Sequence, residues 1–190
     1  MGRKIWVIAD THFYHAALVD YCGRPPDFSE RIIYHWRKMV LPDDLVYHLG
    51  DVYFGPKSKF RECITSLPGQ KILIKGNHDR LKTSWYMDNG FVAVMDQATA
   101  IINIKVRRGQ MCGFRIIFSH RPVPIPVVEH DKYITFNIHG HFHNNKTIKC
   151  ERKLVDSLTD HHYLLAMEET GYKPILLQNM LLQESLLEGR

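Results

Sequence analysis

Short apolar runs that stop abruptly at polar residues set the rhythm of the first half of the chain. Residues 4–9 (KIWVIA) run into Asp10-Thr11-His12, the pattern of a buried strand that delivers side chains from its C-terminal end. From Asp27 to Val40 the apolar positions Phe28, Ile32, Ile33, Trp36, Met39 and Val40 recur at helical spacing, and Asp27 with Glu30 suits a capping box. Pro42 and two aspartates break that helix, and residues 45–49 (LVYHL) read as a second buried strand running into Gly50-Asp51. Residues 57–67 look helical and stop at Pro68-Gly69. Residues 71–75 (KILIK) then make a third strand leading into Gly76-Asn77-His78-Asp79, with a helix expected to begin near Arg80. Strands separated by helices are most economically parallel and joined by right-handed crossovers, so the three polar clusters should meet along one edge of one sheet.

The second half reads mainly as β: residues 98–108, 113–120, 133–143, 163–169 and 173–179 are short strand candidates separated by turns. A leucine-rich tail over 180–190 has roughly helical spacing and is read as packing within the chain. A sheet-on-sheet core flanked by helices is the simplest packing of these pieces, and the length suits a single domain over residues 1–190.

Composition changes this picture in three ways. No apolar run is long enough to span a bilayer, and the N-terminus lacks a signal-type apolar stretch, so a cytoplasmic protein without a membrane partner is expected. Cys22, Cys63, Cys112 and Cys150 form no CxxC pair and are read as reduced and mostly buried. The formal charge of +5 comes from scattered basic residues, with a loose cluster at Lys146, Lys149, Arg152 and Lys153, so a solvated basic surface is favoured over a charge-driven nucleic-acid binder. Twelve histidines, several beside glycines and carboxylates, point instead to metal chemistry.

Five short motifs follow the ends of apolar runs: Asp10-Thr11-His12, Gly50-Asp51, Gly76-Asn77-His78-Asp79, Ser119-His120 and Gly140-His141-Phe142-His143. Taken singly, each has a structural explanation as a turn or a satisfied histidine. Their joint occurrence in this order is a coincidence that short motifs do not readily produce. If residues 141–143 are extended, His141 and His143 face one way and Phe142 the other.

Together these residues resemble the calcineurin-like metallophosphoesterase superfamily, whose signature is DxH, GD, GNH followed by an acid, H, and GHxH. The resemblance implies a four-layer α/β/β/α sandwich of two mixed sheets flanked by helices, with a binuclear metal centre on the loops at one sheet edge. It places Asp10, His12 and His143 on one ion, Asn77, His120 and His141 on the other, and Asp51 between them. Carboxylate, amide and imidazole donors suit Mn, Fe, Zn or Co, with Mn favoured, and no thiolate set is present. Such an ion pair activates a bridging hydroxide for in-line attack on phosphorus. The resemblance assigns leaving-group protonation to His78, which Asp79 is a candidate to orient, unless Asp79 caps the helix near Arg80 instead. It also implies a closing hairpin over Tyr163–Leu177.

The chain departs from the protein-phosphatase pattern GDxxDRG. After Gly50-Asp51, Phe54 stands at the second aspartate and Pro56 follows Gly55, so the carboxylate that would support the histidine and the arginine that would grip phosphate are both missing. The front segment resembles a small bacterial and phage-borne branch of the superfamily. His15, Arg24 and Arg121 lie near the motifs and are either phosphate contacts or surface and structural residues, and Asn77 is also a candidate to face substrate. His139, His35, His48, His130, His161 and His162 are read as structural. The expected activity is hydrolysis of a small nucleotide-like or nucleic-acid-derived phosphoester, with a diester slightly favoured over a monoester. The alternative is a non-catalytic scaffold that holds metal for a protein partner.

Overall fold

The computed structural model describes residues 2–105, 110–126, 129–144 and 152–187. The elements run β1 (Ile5–Ile8), α1 (Leu18–Cys22), α2 (Phe28–Met39), β2 (Leu45–His48), α3 (Lys57–Thr65), β3 (Gln70–Ile74), α4 (Thr83–Asp88), β4 (Ala93–Met95), β5 (Gln97–Lys105), β6 (Met111–Ser119), β7 (Ile134–His139), α5 (Arg152–Val155), β8 (His162–Leu164), α6 (Met167–Thr170), β9 (Ile175–Leu176) and α7 (Leu177–Leu187). They form two mixed sheets flanked by helices, ordered β4-β3-β2-β1-β9 and β5-β6-β7-β8. Strands β1 to β4 are mutually parallel, as the alternation of strands and helices requires.

The apolar runs are continuous because the first sheet is buried on both faces. Trp6 and Ile8 of β1 pack with Ile32 and Trp36 of α2 and Phe60 and Ile64 of α3 on one side. Val7 and Ala9 pack with Phe114, Ile116 and Phe118 of β6 and Phe136 and Ile138 of β7 on the other. Alternation along β1 thus divides its side chains between two cores and holds its C-terminal end rigidly.

Several local expectations are corrected. Asp27 precedes α2 without a side-chain cap and instead pairs with Arg31 one turn on. The closing hairpin does not form: β8 lies parallel to β7 in the second sheet, whereas β9 runs antiparallel to β1 in the first. Between them the chain turns into α6, which ends at a left-handed Gly171 whose N–H returns to Met167 O, so the strand expected over 163–169 stops at Leu164. Helix α7 begins at Leu177, earlier than the expected tail helix, and Leu177, Met180 and Leu181 pack into the core between the sheets. Cys63 is buried, Cys22 and Cys112 are half-buried, and Cys150, Lys146 and Lys149 lie outside the described residues.

The structural histidine His48 ties two loops together. Gly50 N–H donates to its Nδ1 (3.2 Å), so its proton sits on Nε2 and reaches Thr11 Oγ1 (2.8 Å), which donates onward to Val52 O (2.7 Å). Burial pushes its pKa down to about 3, and His139, also buried, is pushed down to about 4. Each is a base depressed below its unfolded value, so its contribution to stability is complete above the unfolded pKa of 6.5 and is lost as pH falls toward the folded value. The two histidines should lower urea midpoints of the metal-free protein below pH 6.5, with at most about 5 kcal/mol at stake for His48, offset in part below pH 6 by the Asp79 carboxyl, which burial pushes up to about 6. His48→Phe, less stable at neutral pH because Gly50 N–H loses its acceptor, should show the shallower acid dependence; an unchanged slope would count against this coupling.

Candidate metal centre

The ends of β1, β2 and β7 deliver their side chains through backbone that L-residues normally avoid. Asp10 (φ 50), His12 (φ 41), Asp51 (φ 55), His141 (φ 75) and His143 (φ 50) are all left-handed, and they account for five of the eight such non-glycine residues described. Each costs on the order of 1 kcal/mol, and clustering of this kind marks sites where neighbours override local preference. For residues 141–143 this corrects the expectation of an extended segment: β7 ends at His139, and a turn brings His141 and His143 toward the site while Phe142 is buried behind them.

Hydrogen bonds between loops impose that backbone. Asp10 N–H donates to Gly50 O (3.0 Å), His12 N–H to Asp51 O (2.9 Å) and Phe13 N–H to Val52 O (3.0 Å), which carries the β1–β2 pairing past the strand ends. Asp79 is buried and accepts N–H groups from Asp51 (2.7 Å), Gly76 (2.9 Å) and Val52 (3.2 Å). Burial pushes its carboxyl up to about 6 despite these donors. Asp79 therefore clamps the second and third loops together; it neither caps α4, which starts after Lys82, nor bonds the His78 ring.

Within this frame the donor atoms converge. Asp51 Oδ2 lies 3.5 Å from both His12 Nε2 and His120 Nε2, while Asp51 Oδ1 accepts the His78 N–H (2.8 Å). Asp10 Oδ1 lies 4.0 Å from His12 Nε2, and Asp10 Oδ2 accepts the His141 N–H (2.9 Å). His120 Nδ1 faces the Leu49 carbonyl (2.8 Å), so the ring proton belongs there and Nε2 carries a lone pair. That lone pair meets Asn77 Oδ1 (2.9 Å), His141 Nδ1 (3.3 Å) and Asp51 Oδ2. A proton at Nε2 would satisfy one of these acceptors, whereas a cation among them satisfies all. Asp10 Oδ1 and both His12 nitrogens are buried without a hydrogen-bond partner. Burial pushes the Asp10 carboxyl up, and it pushes His12 well down, aided by His143 and Arg24. Such orphaned donors fit divalent metal ions, which repay the desolvation that otherwise disfavours charge here. Three groups among the described residues, Asp10/His12/His143, Asp10/Asp51/His120 and Cys22/His143/Glu168, have ligand atoms within 4.8 Å of one another, and the first two lie at the strand ends.

The remaining candidates take different places. Arg24, read as either a phosphate contact or a structural residue, takes the structural place: it is buried, its Nε donates to Glu168 (2.7 Å) and its terminal nitrogens to Thr11 O (3.1 Å) and Asp10 O (2.9 Å). Its side chain has no exposed surface, so it braces the first loop from behind. His143 Nδ1 faces Glu168 Oε1 (3.4 Å) and Arg24 (3.2 Å), which leaves Nε2 as its nitrogen for a metal. Burial works against charge on Glu168, but its hydrogen bond to His143 and the Arg24 guanidinium prevail and hold it down to about 2. Glu168 belongs to no motif, and only its fold partners reveal it. His15 stacks on Phe54, and Arg121 lines a groove of about 310 Å³ with Lys75, Asn77, Gln97, Ser119 and His120. His78 is exposed, with its ring 5.5 Å from that of His12.

The sequence profile described as calcineurin-like phosphoesterase matches residues 3–177. The uncharacterized protein MJ1445 of Methanocaldococcus jannaschii is 29% identical, over 92% of this chain and 88% of its own. The Gene 66 protein of Mycobacterium phage D29 is 24% identical, over 87% of this chain and 93% of its own. The crystal structure of AQ665, a protein of unknown function from Aquifex aeolicus, superposes with a TM-score of 0.65 at 28% identity, covering 94% of this chain and 98% of that one. No helix among the described residues is long and apolar enough to cross a membrane. With the family profile spanning nearly the whole chain and two donor clusters at the strand ends, the chain belongs to the calcineurin-like phosphoesterase family and is a metal-dependent hydrolase of phosphoric esters.

Proposed function

We propose that the chain is a binuclear phosphodiesterase acting on a nucleotide-like or nucleic-acid-derived ester. The observation that carries this reading is Asp51 Oδ2, placed equally, at 3.5 Å, from an imidazole of each half-site. Asp10, His12 and His143 would hold one divalent ion, and Asn77, His120 and His141 the other, with Asp51 shared. Bound there, the ion pair supplies Lewis acidity and an activated water for attack on phosphorus. Oxygen and imidazole donors suit manganese, iron, zinc or cobalt, with manganese favoured.

The protein's own part is to orient the ester and to protonate what leaves. Asn77 is exposed with its Oδ1 2.9 Å from His120 Nε2, and its amide N–H would donate to a phosphate held there. Arg121, in the adjoining groove, supplies positive charge for the portion of a diester that stays behind. His78 projects from the third loop, its backbone N–H held by Asp51 Oδ1, and its ring would donate a proton to the departing oxygen. A diester is favoured because the arginine that grips phosphate in protein phosphatases is missing after Phe54, where Gly55-Pro56 stand, while His78 is present to protonate a departing alkoxide.

A manganese-loaded preparation should hydrolyse chromogenic diesters, with loss of activity on chelation and recovery on re-addition of metal. His78→Ala should keep its metal yet lose about 10²-fold in kcat on alkyl-leaving diesters. The loss should be smaller on nitrophenyl esters, whose leaving oxygen has little need of a proton. Absence of turnover on diesters and monoesters across several metals would sink the enzymatic reading and favour a metal-holding scaffold; equal loss on both leaving groups would remove His78 from the acid role.

A further inference from the structure

Phe54 occupies the chain position where protein phosphatases of this family carry their supporting aspartate. Its ring lies face to face with His15, with centroids 3.9 Å apart and planes 11° from parallel, and meets the His78 ring at 5.8 Å and 67°. His15 in turn leans on the ring of His12 at 5.5 Å. The stack is therefore anchored at the metal centre on one side and touches the proposed acid on the other. Phe54 keeps 45% of its surface exposed, and Tyr14, on the same loop as His15, keeps 44%.

The acid defines the direction of departure: whatever leaves must have its ester oxygen at His78 and its body beyond it. The surface within reach of His78 includes the exposed Phe54 ring, whereas Lys75 and Arg121 lie in the groove beside Asn77 and His120, and the Arg80 guanidinium turns back to the Asn77 carbonyl at 3.3 Å. An anionic leaving group would find no charge complement in Phe54, but a flat ring would find a stacking partner already held flat by His15. We infer that the Phe54–His15 stack is a leaving-group subsite for a nucleobase, so that the group expelled is a nucleoside. This rests on the assignment of His78 as the proton donor and narrows the substrate to a diester between nucleosides.

The test compares a dinucleoside monophosphate with its analogue in which the leaving sugar carries no base, using manganese-loaded wild type, Phe54→Leu and Phe54→Ala. Wild type should prefer the base-bearing substrate in kcat/KM by roughly 5- to 100-fold, the range that one base–aromatic stack supplies. Phe54→Leu, still apolar but without a π-face, should reduce that ratio to within about threefold, and Phe54→Ala should do the same, both with unchanged metal content. A wild-type ratio near one, or a ratio that survives both substitutions, overturns the inference. So does hydrolysis of nitrophenyl diesters without any hydrolysis of the dinucleotide. Failure on every ester tested would instead overturn the phosphodiesterase reading beneath it.

Discussion

On the proposed binuclear reading, Asp51→Asn should reduce bound divalent metal from two ions per chain to one or none and lower kcat on a chromogenic diester by roughly 10³- to 10⁴-fold, the equivalent of several kcal/mol of lost charge stabilisation. The substitution changes one atom and one charge in a carboxylate whose two oxygens have separate tasks. Oδ1 accepts the His78 N–H at 2.8 Å, a bond the amide oxygen of asparagine can keep. Oδ2 sits 3.5 Å from the nitrogens of His12 and His120, and there the amide would place N–H donors against imidazole lone pairs. Those donors fill the space where a cation is expected, without adding bulk. The loops should stay in place, and the metal-free variant should melt at or above the temperature of metal-free wild type, because a buried charge has been removed. Metal analysis after dialysis, steady-state kinetics and thermal melts with chelator test the three parts. Retention of two ions with kcat within tenfold of wild type would show that Asp51 is not shared between metals.

Gly76→Ala should cost 1–3 kcal/mol of stability through overpacking and at least 10²-fold in kcat through displacement of Asp51. A Cβ at Gly76 would collide with the Asp51 carboxylate and stand 2.6 Å from Asp51 N, atoms fixed by Asp79 and by the His78 N–H. The crowding is mutual, since a Cβ at Gly50 would stand 2.6 Å from Gly76 N and 2.7 Å from His120 Nδ1. No flexible side-chain end is available to yield, so the second and third loops must move apart and take their ligands with them. The rise in melting temperature on adding manganese should shrink accordingly. Gly2→Ala, where a Cβ meets nothing within 4 Å, serves as the control and should be silent. Full metal-induced stabilisation in Gly76→Ala would mean that the contact between these two glycine backbones does not set the ligand positions.

Much of this site is legible in one dimension because strand ends are legible. Asp10, His12, Asp51, Asn77 and His120 each follow an apolar run, and a run buried on both faces stops where the chain must leave the core. Parallel pairing of β1, β2 and β3 then follows from the intervening helices, and convergence of their loops follows from parallel pairing. Where the periodic signal is short it says less: β4 has three residues and no pattern that marks a strand, and the hairpin expected of β8 and β9 does not exist because they join different sheets. Two or three apolar residues identify a strand but do not say which edge it joins.

The amino-acid sequence by itself determined the chemistry available: the donor types, their order, and the placement of each just beyond the end of a buried element. Tertiary structure alone decided how those donors are held. The left-handed backbone at Asp10, His12, Asp51, His141 and His143 contradicts the local preference of each residue, and it exists because contacts from other loops outweigh a cost on the order of 1 kcal/mol apiece. Arg24 meets Glu168 across 144 positions of chain, and Asp79 gathers the N–H groups of Asp51 and Val52 from 28 and 27 positions away. Local pattern carries no record of such partners, because a buried charge is indistinguishable from a surface one until the fold supplies its counterpart.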